Sequence, residues 1–365
     1  MLHVAEFNDL NKLDVLRLLW KRLWQKTRQA SFRQSFEYYE HYCRQHEATV
    51  IPKVLYVSIA HRPIGILPLI LRRRETSLGR LRVMSYPTDT ETVTFGPIGP
   101  NSAATLSSAM RHLRATRRDW DVINLCGIDS DGLDRGRTRN ALTLHGFRAC
   151  RTAWQTAARI DFDQLLPITS TDDSSHDKLD FVRHRPAGTC LGDDDCRWDL
   201  FADWERLSDG KTSVESRSRK ARHSLAVTAG ASDLALLYQD GHAIAGSYGF
   251  HVDGHLEIAE IAVAPNAAQD AVTQLLDQLV ADGRERDDAS YTFSGNAMCE
   301  EAQQLATSSV RTERLRYFAK SSLRGQLVRL KESVGRWATT ADTTPAVPTT
   351  TVVSPPRKPQ LKVIG

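Results

Sequence analysis

The sequence predicts an α+β protein in which two similar units each build a mixed, mostly antiparallel sheet flanked by helices. Three observations carry that expectation. Leu234 to Tyr238, Ala243 to Val252 and His255 to Val263 are apolar runs separated by Gln239-Asp240-Gly241-His242 and by Asp253-Gly254. Asp-Gly between such runs is a hairpin signal, because both turn residues must take positive φ. After this meander, Val272, Leu275, Leu276, Leu279 and Val280 recur with the period of one helical face, and Ala289 to Phe293 then reads as a strand. The third observation is that the same order of elements occurs once before.

That earlier copy begins after two amphipathic segments. Asn11 to Gln25 carries Leu13, Leu16, Leu19, Trp20, Leu23 and Trp24 on one helical stripe, and Ser35 to Cys43 adds Phe36, Tyr38, Tyr39 and Tyr42. These aromatic rings are expected to pack on the first sheet. Val54 to Ile59 and Ile64 to Leu71 then read as strands joined through Ala60-His61-Arg62-Pro63, and Thr92 to Phe95 as a third. Gly96-Pro97-Ile98-Gly99-Pro100 ends it, Ser102 opens a helix with Leu106, Met110 and Leu113, and Asp121 to Leu125 is a buried strand. Ile64-Gly65 in this copy answers Ile244-Ala245 in the later one, so the repeat is one of duplicated units.

Between the copies, 168–180 is rich in Ser, Thr and Asp and reads as a loop. The basic residues Arg183 and Arg185 are expected to pair with the acidic run Asp193-Asp194-Asp195, which lacks the alternating spacing of a calcium loop. Asp199 to Leu207 and Ser213 to Val227 read as helices, the second with Arg217, Arg219, Lys220, Arg222 and His223 on a basic, solvated face. From Glu313 to Trp337 the pattern is that of a long basic helix, with Leu323, Leu327, Leu330, Val334 and Trp337 in four-three spacing. Such a helix either packs on the sheet or lies on a membrane surface. Residues 339–365 are Thr/Pro-rich with little to bury and are expected to be disordered. The resulting division is a first unit over 1–162, a connecting segment with the basic helix over 163–232, a second unit over 233–338 and the tail.

Taken together, the N-terminal helix with Trp20, the segment Ser31 to His46, the strand pair from Val54 to Arg73, the strand Trp120 to Leu125 with its sequel to Gly146-Phe147, and the meander from Leu234 resemble the cellulose-biosynthesis-type acetyltransferases of the GNAT superfamily. That is a tandem-GNAT group akin to the Fem-type peptidyl transferases. The resemblance implies acetyl-CoA or another acyl-CoA as co-substrate, with Ile261, Ala262 and Val263 beside its pantetheine arm. It implies that Asn266, Ala267, Ala268 and Gln269 offer amides to its pyrophosphate, at the start of a helix capped by Asn266. The base in this family is a carboxylate on the third meander strand, for which Glu260 and Glu257 are the candidates, with Glu260 preferred. Their odd spacing puts them on opposite faces of a regular strand. Ser294 is a candidate proton donor to the leaving thiolate, or a cap for the next helix.

The implied function is transfer of an acyl group from CoA to a small-molecule or glycan amine in surface-polysaccharide synthesis. Two alternatives stand beside it. One is a Fem-like transfer from aminoacyl-tRNA, which would also use the helix carrying Arg217 to His223. The other is a non-catalytic binding module, favoured by the lack of glycine from Asn266 to Ala271 and by the lack of the family's Tyr-Lys pair from Gly295 to Glu301. Neither Gly-x-Ser-x-Gly nor a P-loop occurs, and no cluster of residues has metal-ligand spacing. A net charge of +4 is too small for the basic stripe of a DNA binder, so none is expected as partner. Six cysteines without a C-x-x-C pair, and an opening stretch carrying Glu6 and Asp9 in place of an apolar core, lead to the expectation of a cytoplasmic protein.

Overall fold

The computed structural model describes residues 2–77, 79–88, 92–165, 179–186, 193–208 and 213–331. The loop expected over most of 168–180 and the tail 339–365 therefore lie outside the described residues, as do Val334 and Trp337. The strands are β1 (Leu2–Phe7), β2 (Val50–Ile59), β3 (Arg62–Thr76), β4 (Gly79–Ser85), β5 (Val122–Ile128), β6 (Cys150–Asp161), β7 (Leu179–His184), β8 (Ser232–Gln239), β9 (His242–Val252), β10 (His255–Val263), β11 (Ser290–Phe293) and β12 (Ser308–Phe318). The helices are α1 (Arg17–Trp24), α2 (Phe36–Gln45), α3 (Ser102–Ala115), α4 (Arg137–Leu144), α5 (Trp198–Leu207), α6 (Ser213–Thr228), α7 (Ala271–Glu285), α8 (Glu300–Leu305) and α9 (323–331).

The duplicated order is present: β2-β3-β4, α3, β5 in the first half and β8-β9-β10, α7, β11 in the second. All strands join one 12-stranded sheet in the order β1-β2-β3-β4-β5-β12-β6-β11-β10-β9-β8-β7. The two hairpin turns of the second meander have the positive φ that their sequence requires, with Asp240 at 50°, Gly241 at 75°, Asp253 at 50° and Gly254 at 74°.

Each half continues with a helix and one more strand, and these last strands are exchanged. β12 lies between β5 and β6 and pairs antiparallel with both, while β6 pairs on its other edge with β11. Glu313 to Phe318, expected to be helical, is therefore strand. Leu315 and Tyr317 alternate there with Arg314 and Arg316, which suits a strand held between two others, and among the described residues of that stretch 323–331 are helical. The third strand of the first meander is β4, and Thr92 to Phe95, expected to be that strand, are not strand. Leu81 and Val83 alternate with Arg80 and Arg82 in β4, which is the period of a strand.

Trp20, Phe32, Tyr38, Tyr39 and Tyr42 share one buried cluster with Phe201, Trp204, Tyr248 and Phe250, so the aromatic helices of the first half and the connecting helices pack in a common core. The rings of Phe32 and Phe250 stack at 4.8 Å across the two halves.

Candidate functional site

On the second meander, β10 and β11 pair in parallel only from His255 to Ile258, opposite Ser290 to Phe293. Beyond Ile258 the two strands part. The Ser294 amide donates to the Ile258 carbonyl at 3.0 Å and its buried hydroxyl turns to the same oxygen at 3.4 Å, closing the fork. Ile261, Ala262 and Val263 continue along β9, opposite Ser247, Gly246 and Ala245.

The same point carries a β-bulge. Glu257 faces Phe250, Ile258 faces Gly249, and Glu260 faces Tyr248, leaving Ala259 as the extra residue. An extra residue reverses the alternation of faces. Glu257 and Glu260 therefore stand on one face of the sheet, where the regular spacing would have put them on two.

Their surroundings differ. Both oxygens of Glu260 accept from Arg219 of α6, at 2.7 and 2.8 Å, and Oε1 also accepts from the Ser208 hydroxyl at 2.6 Å. Arg219 is buried, as is His223 one turn later, so the inner face of the basic helix faces the core and not water. Glu257 meets the buried Arg33 at 3.4 Å. The helix start also differs from expectation. Residues 264–270 form turns, with the Ala267 amide donating to Ala264 and that of Ala271 to Ala268. α7 begins at Ala271 with Asp270 as its cap, and the Asp270 carboxylate accepts from Gln274.

A cavity of about 390 Å³ lies at the corresponding place in the first half, at the start of α3. One wall is Thr94 to Pro97 and Gly99 to Ala103; the other is Gly127, Asp129 and Leu133 to Arg137 without Gly136. β4 and β5 pair in parallel at Val83 to Ser85, and the Phe95 amide still donates to the Gly127 carbonyl at 2.8 Å. The chain then swings to β3, where Ile98 bridges Ile66, and this divergence opens the space. The approach of the α3 loop to β3 needs glycine on both sides. A Cβ on Gly99, whose φ is +116°, would lie 2.7 Å from the Ile64 carbonyl, and one on Gly65 would lie 2.1 Å from the Thr105 hydroxyl.

The chemistry of this cavity is that of an anion site. Ser102 and Ala103 belong to the first turn of α3, whose amides have no acceptor within the helix. Lys26, Arg28, Arg135 and Arg137 line it, against Asp129 and Asp134. Both carboxylates are occupied by their own loop: Asp129 accepts from the Gly132 and Leu133 amides, and Asp134 from Thr138. Burial pushes the Asp134 carboxyl up from its ordinary value. In the sequence, Gly96 to Ser102 reads as a strand terminator and cap. The cations carry no such signal, because they lie up to 70 residues from it in sequence, in segments without a motif of their own.

A narrow space of about 60 Å³, lined by Thr94, Asp129, Leu133, His255, Glu257 and Thr292 among others, adjoins the cavity. Beyond it opens a trough of about 850 Å³ bordered by Asp129, Asp131, Arg159, Asp163, His255 and Arg311. Gln29 and Asp129 line all three spaces, so the three lie side by side along a path from α3 to the junction of the halves. Of the three candidate catalytic residues, Glu257 borders this path; Glu260 and Ser294 do not line it. His255, the first residue of β10, stands at the narrow point. Its Nδ1 lies 2.8 Å from the Ser290 hydroxyl, and burial, with Arg159 and His251 nearby, holds its pKa below the ordinary value despite Asp253 and Asp161.

Two meander-helix-strand units joined in one sheet, each with a fork after its third strand, define a tandem fold of the GNAT acyltransferase type. Among solved structures, FemX shares 10% identity at a TM-score of 0.54, over 90% of this chain and 100% of its own. A conserved protein of unknown function from Bacteroides thetaiotaomicron shares 10% at 0.50, over 87% and 100%. A tandem GNAT protein from the clavulanic acid biosynthesis pathway shares 13% at 0.49, over 88% and 100%. For the first two, at these identities, the likeness is one of fold. No protein-family model matches the sequence, and no curated protein does.

Proposed function

We propose that the protein is an acyl-CoA-dependent N-acyltransferase that holds its donor in the first half and receives an amine through the trough between the halves. The observation that carries this reading is the 390 Å³ cavity at the start of α3, with its glycine-bounded loop and its four cations. These features suit a pyrophosphate and a 3′-phosphate, with the thioester directed along the path toward His255 and Glu257. The fork at β10, with Ile261 to Val263 and the turns from Asn266 to Gln269, is the second place of the same kind. There the acidic cap Asp270 opposes an anionic ligand.

In the reaction the amine nitrogen attacks the thioester carbonyl, the C–N bond forms, the C–S bond breaks, and the CoA thiolate takes a proton. With Nδ1–H donating to Ser290, Nε2 of a neutral His255 is the basic atom that accepts the amine proton. Glu257, paired with Arg33, supports the developing positive charge. The carboxylates Asp131 and Asp163 at the trough favour a cationic amine, and an amino sugar or glycan amine of surface-polysaccharide synthesis is the acceptor class we assign.

Calorimetric titration with acetyl-CoA tests the reading. Binding in the micromolar range, weakened at least tenfold by Arg135→Glu with Arg137→Glu, is the expected result. Binding that ignores this pair but responds to Asp270→Gly would move the donor to α7. No heat at millimolar acetyl-CoA, with tRNA retained through purification, would favour an aminoacyl-tRNA donor instead.

A further inference from the structure

The helix α9 has an apolar stripe that does not face the protein. Leu323 is 77% exposed, Leu327 40% and Leu330 61%. This orientation is fixed by the other face. The buried Ser322 donates its hydroxyl to Asp121 at 2.8 Å, and Gln326 donates from Nε2 to the carbonyls of Phe318 and Ala319 at 3.3 and 3.1 Å. Gly325 lies so close to the sheet that a Cβ there would sit 3.0 Å from the Asp121 carbonyl, and Val328 packs on Leu81, Val122 and Phe318. Rotating the leucines inward would break all of these contacts.

The stripe is framed by positive charge. Lys320, Arg324, Arg329 and Lys331 are exposed on and beside the helix. Arg324 donates to the Arg80 carbonyl at 3.0 Å and Lys331 to the Ser77 hydroxyl at 2.9 Å, which brings up the β3–β4 hairpin with exposed Arg73, Arg74 and Arg80. Glu75, paired with Arg80, is the carboxylate of that hairpin.

We propose that α9 and the β3–β4 hairpin dock the protein on an anionic lipid surface, the leucines entering the interface and the cations meeting the headgroups. An apolar stripe ringed by cations complements acyl chains beneath anionic headgroups. A second copy of this chain fits poorly, because a two-fold contact would set the same cations against themselves. A nucleic acid would use the cations and leave the leucines in water. Among the described residues no helix is long and apolar enough to cross a membrane, so the attachment is peripheral.

Sedimentation of the full chain with phosphatidylglycerol/phosphatidylcholine vesicles, against phosphatidylcholine alone, tests this. Binding should be at least tenfold tighter to the anionic vesicles. Leu323→Ser with Leu327→Ser, and separately Lys320→Glu with Arg329→Glu, should each weaken it at least fivefold while the melting temperature holds. The proposal is overturned by equal binding to both vesicle types, by binding indifferent to the leucine pair, or by no binding. It is also overturned if light scattering shows a dimer that the leucine pair dissolves, or if duplex RNA is bound more tightly than the anionic vesicles. Acetyl-CoA binding is measured on the same variants and should be unchanged, so that loss of docking is read apart from loss of the donor site.

Discussion

His223 sits in the core with Nε2–H donating to the Cys196 carbonyl at 2.7 Å, its ring stacked 4.3 Å from Phe201 and Nδ1 3.2 Å from the Tyr248 hydroxyl. Burial lowers its pKa from 6.5 to about 4. The unfolded chain therefore takes up a proton below about pH 6.5 that the folded one refuses, so stability falls as pH drops from 6.5 toward 4. The contribution is of the order of 3 kcal/mol at the lower end. Urea unfolding at pH 7 and pH 4.5 should show this loss, and His223→Phe should flatten it. His255 makes a separate prediction. With an amine acceptor in hand, His255→Gln should lower kcat by about 100-fold, with the acetyl-CoA affinity and the melting temperature unchanged. A pH-rate profile whose acid limb stays in place in this variant would remove His255 from the reaction.

Among the elements, β7 packs Leu179, Phe181 and Val182 on the core and brings two arginines to buried carboxylates beside α7. Arg183 reaches Asp233 at 3.0 Å and Asp282 at 2.7 Å, while Arg185 reaches Asp233 at 2.7 Å and Asp288 at 2.8 Å. Of the acidic run expected to take these arginines, the side chains of Asp193 and Asp194 lie outside the described residues. Asp233, Asp288 and Tyr291 are buried, and Asp288, among these pairs and His251, is held far below the carboxylate range in spite of its burial. Arg183→Leu would leave Asp233 and Asp288 short of counter-charge, at a cost of about 3–5 kcal/mol. Chemical denaturation measures it directly, and a loss below 1 kcal/mol would mean that Arg185 alone suffices. The bulge of β10 works at the same scale: one extra residue decides that Glu257 and Glu260 share a face, and the packing above each then separates them, one on the path and one on Arg219.

At the scale of the molecule, the exchange of β6 and β12 makes each half depend on the other. β6 takes both of its neighbours, β11 and β12, from the second half. A chain ending at residue 305 would leave β5 and β6 with open edges, and the rings of Trp120, Phe147 and Tyr317, packed at 5.2 to 6.0 Å, would lose one member. Such a chain, and the isolated piece 1–162, should fail to give dispersed amide resonances, while the full chain should unfold in a single transition. Two resolved calorimetric transitions in the full chain would contradict this coupling.

The sequence by itself determined what is local. The Asp-Gly turns, the periods of the strands, the aromatic stripes of α1 and α2 and the repetition of meander, helix and strand all depend on residues close together in the chain, where turn chemistry and alternation act directly. It also held Glu257 as a candidate. Only the tertiary structure decided which strand each edge accepts, that the strand after α8 crosses to the first half, that a bulge turns Glu260 onto Arg219, and that the open cavity lies at α3. The physical reason is that an edge, a buried charge and a cleft are each made by segments distant in sequence. Lys26, Gly99 and Arg135 border one cavity although no short pattern joins them.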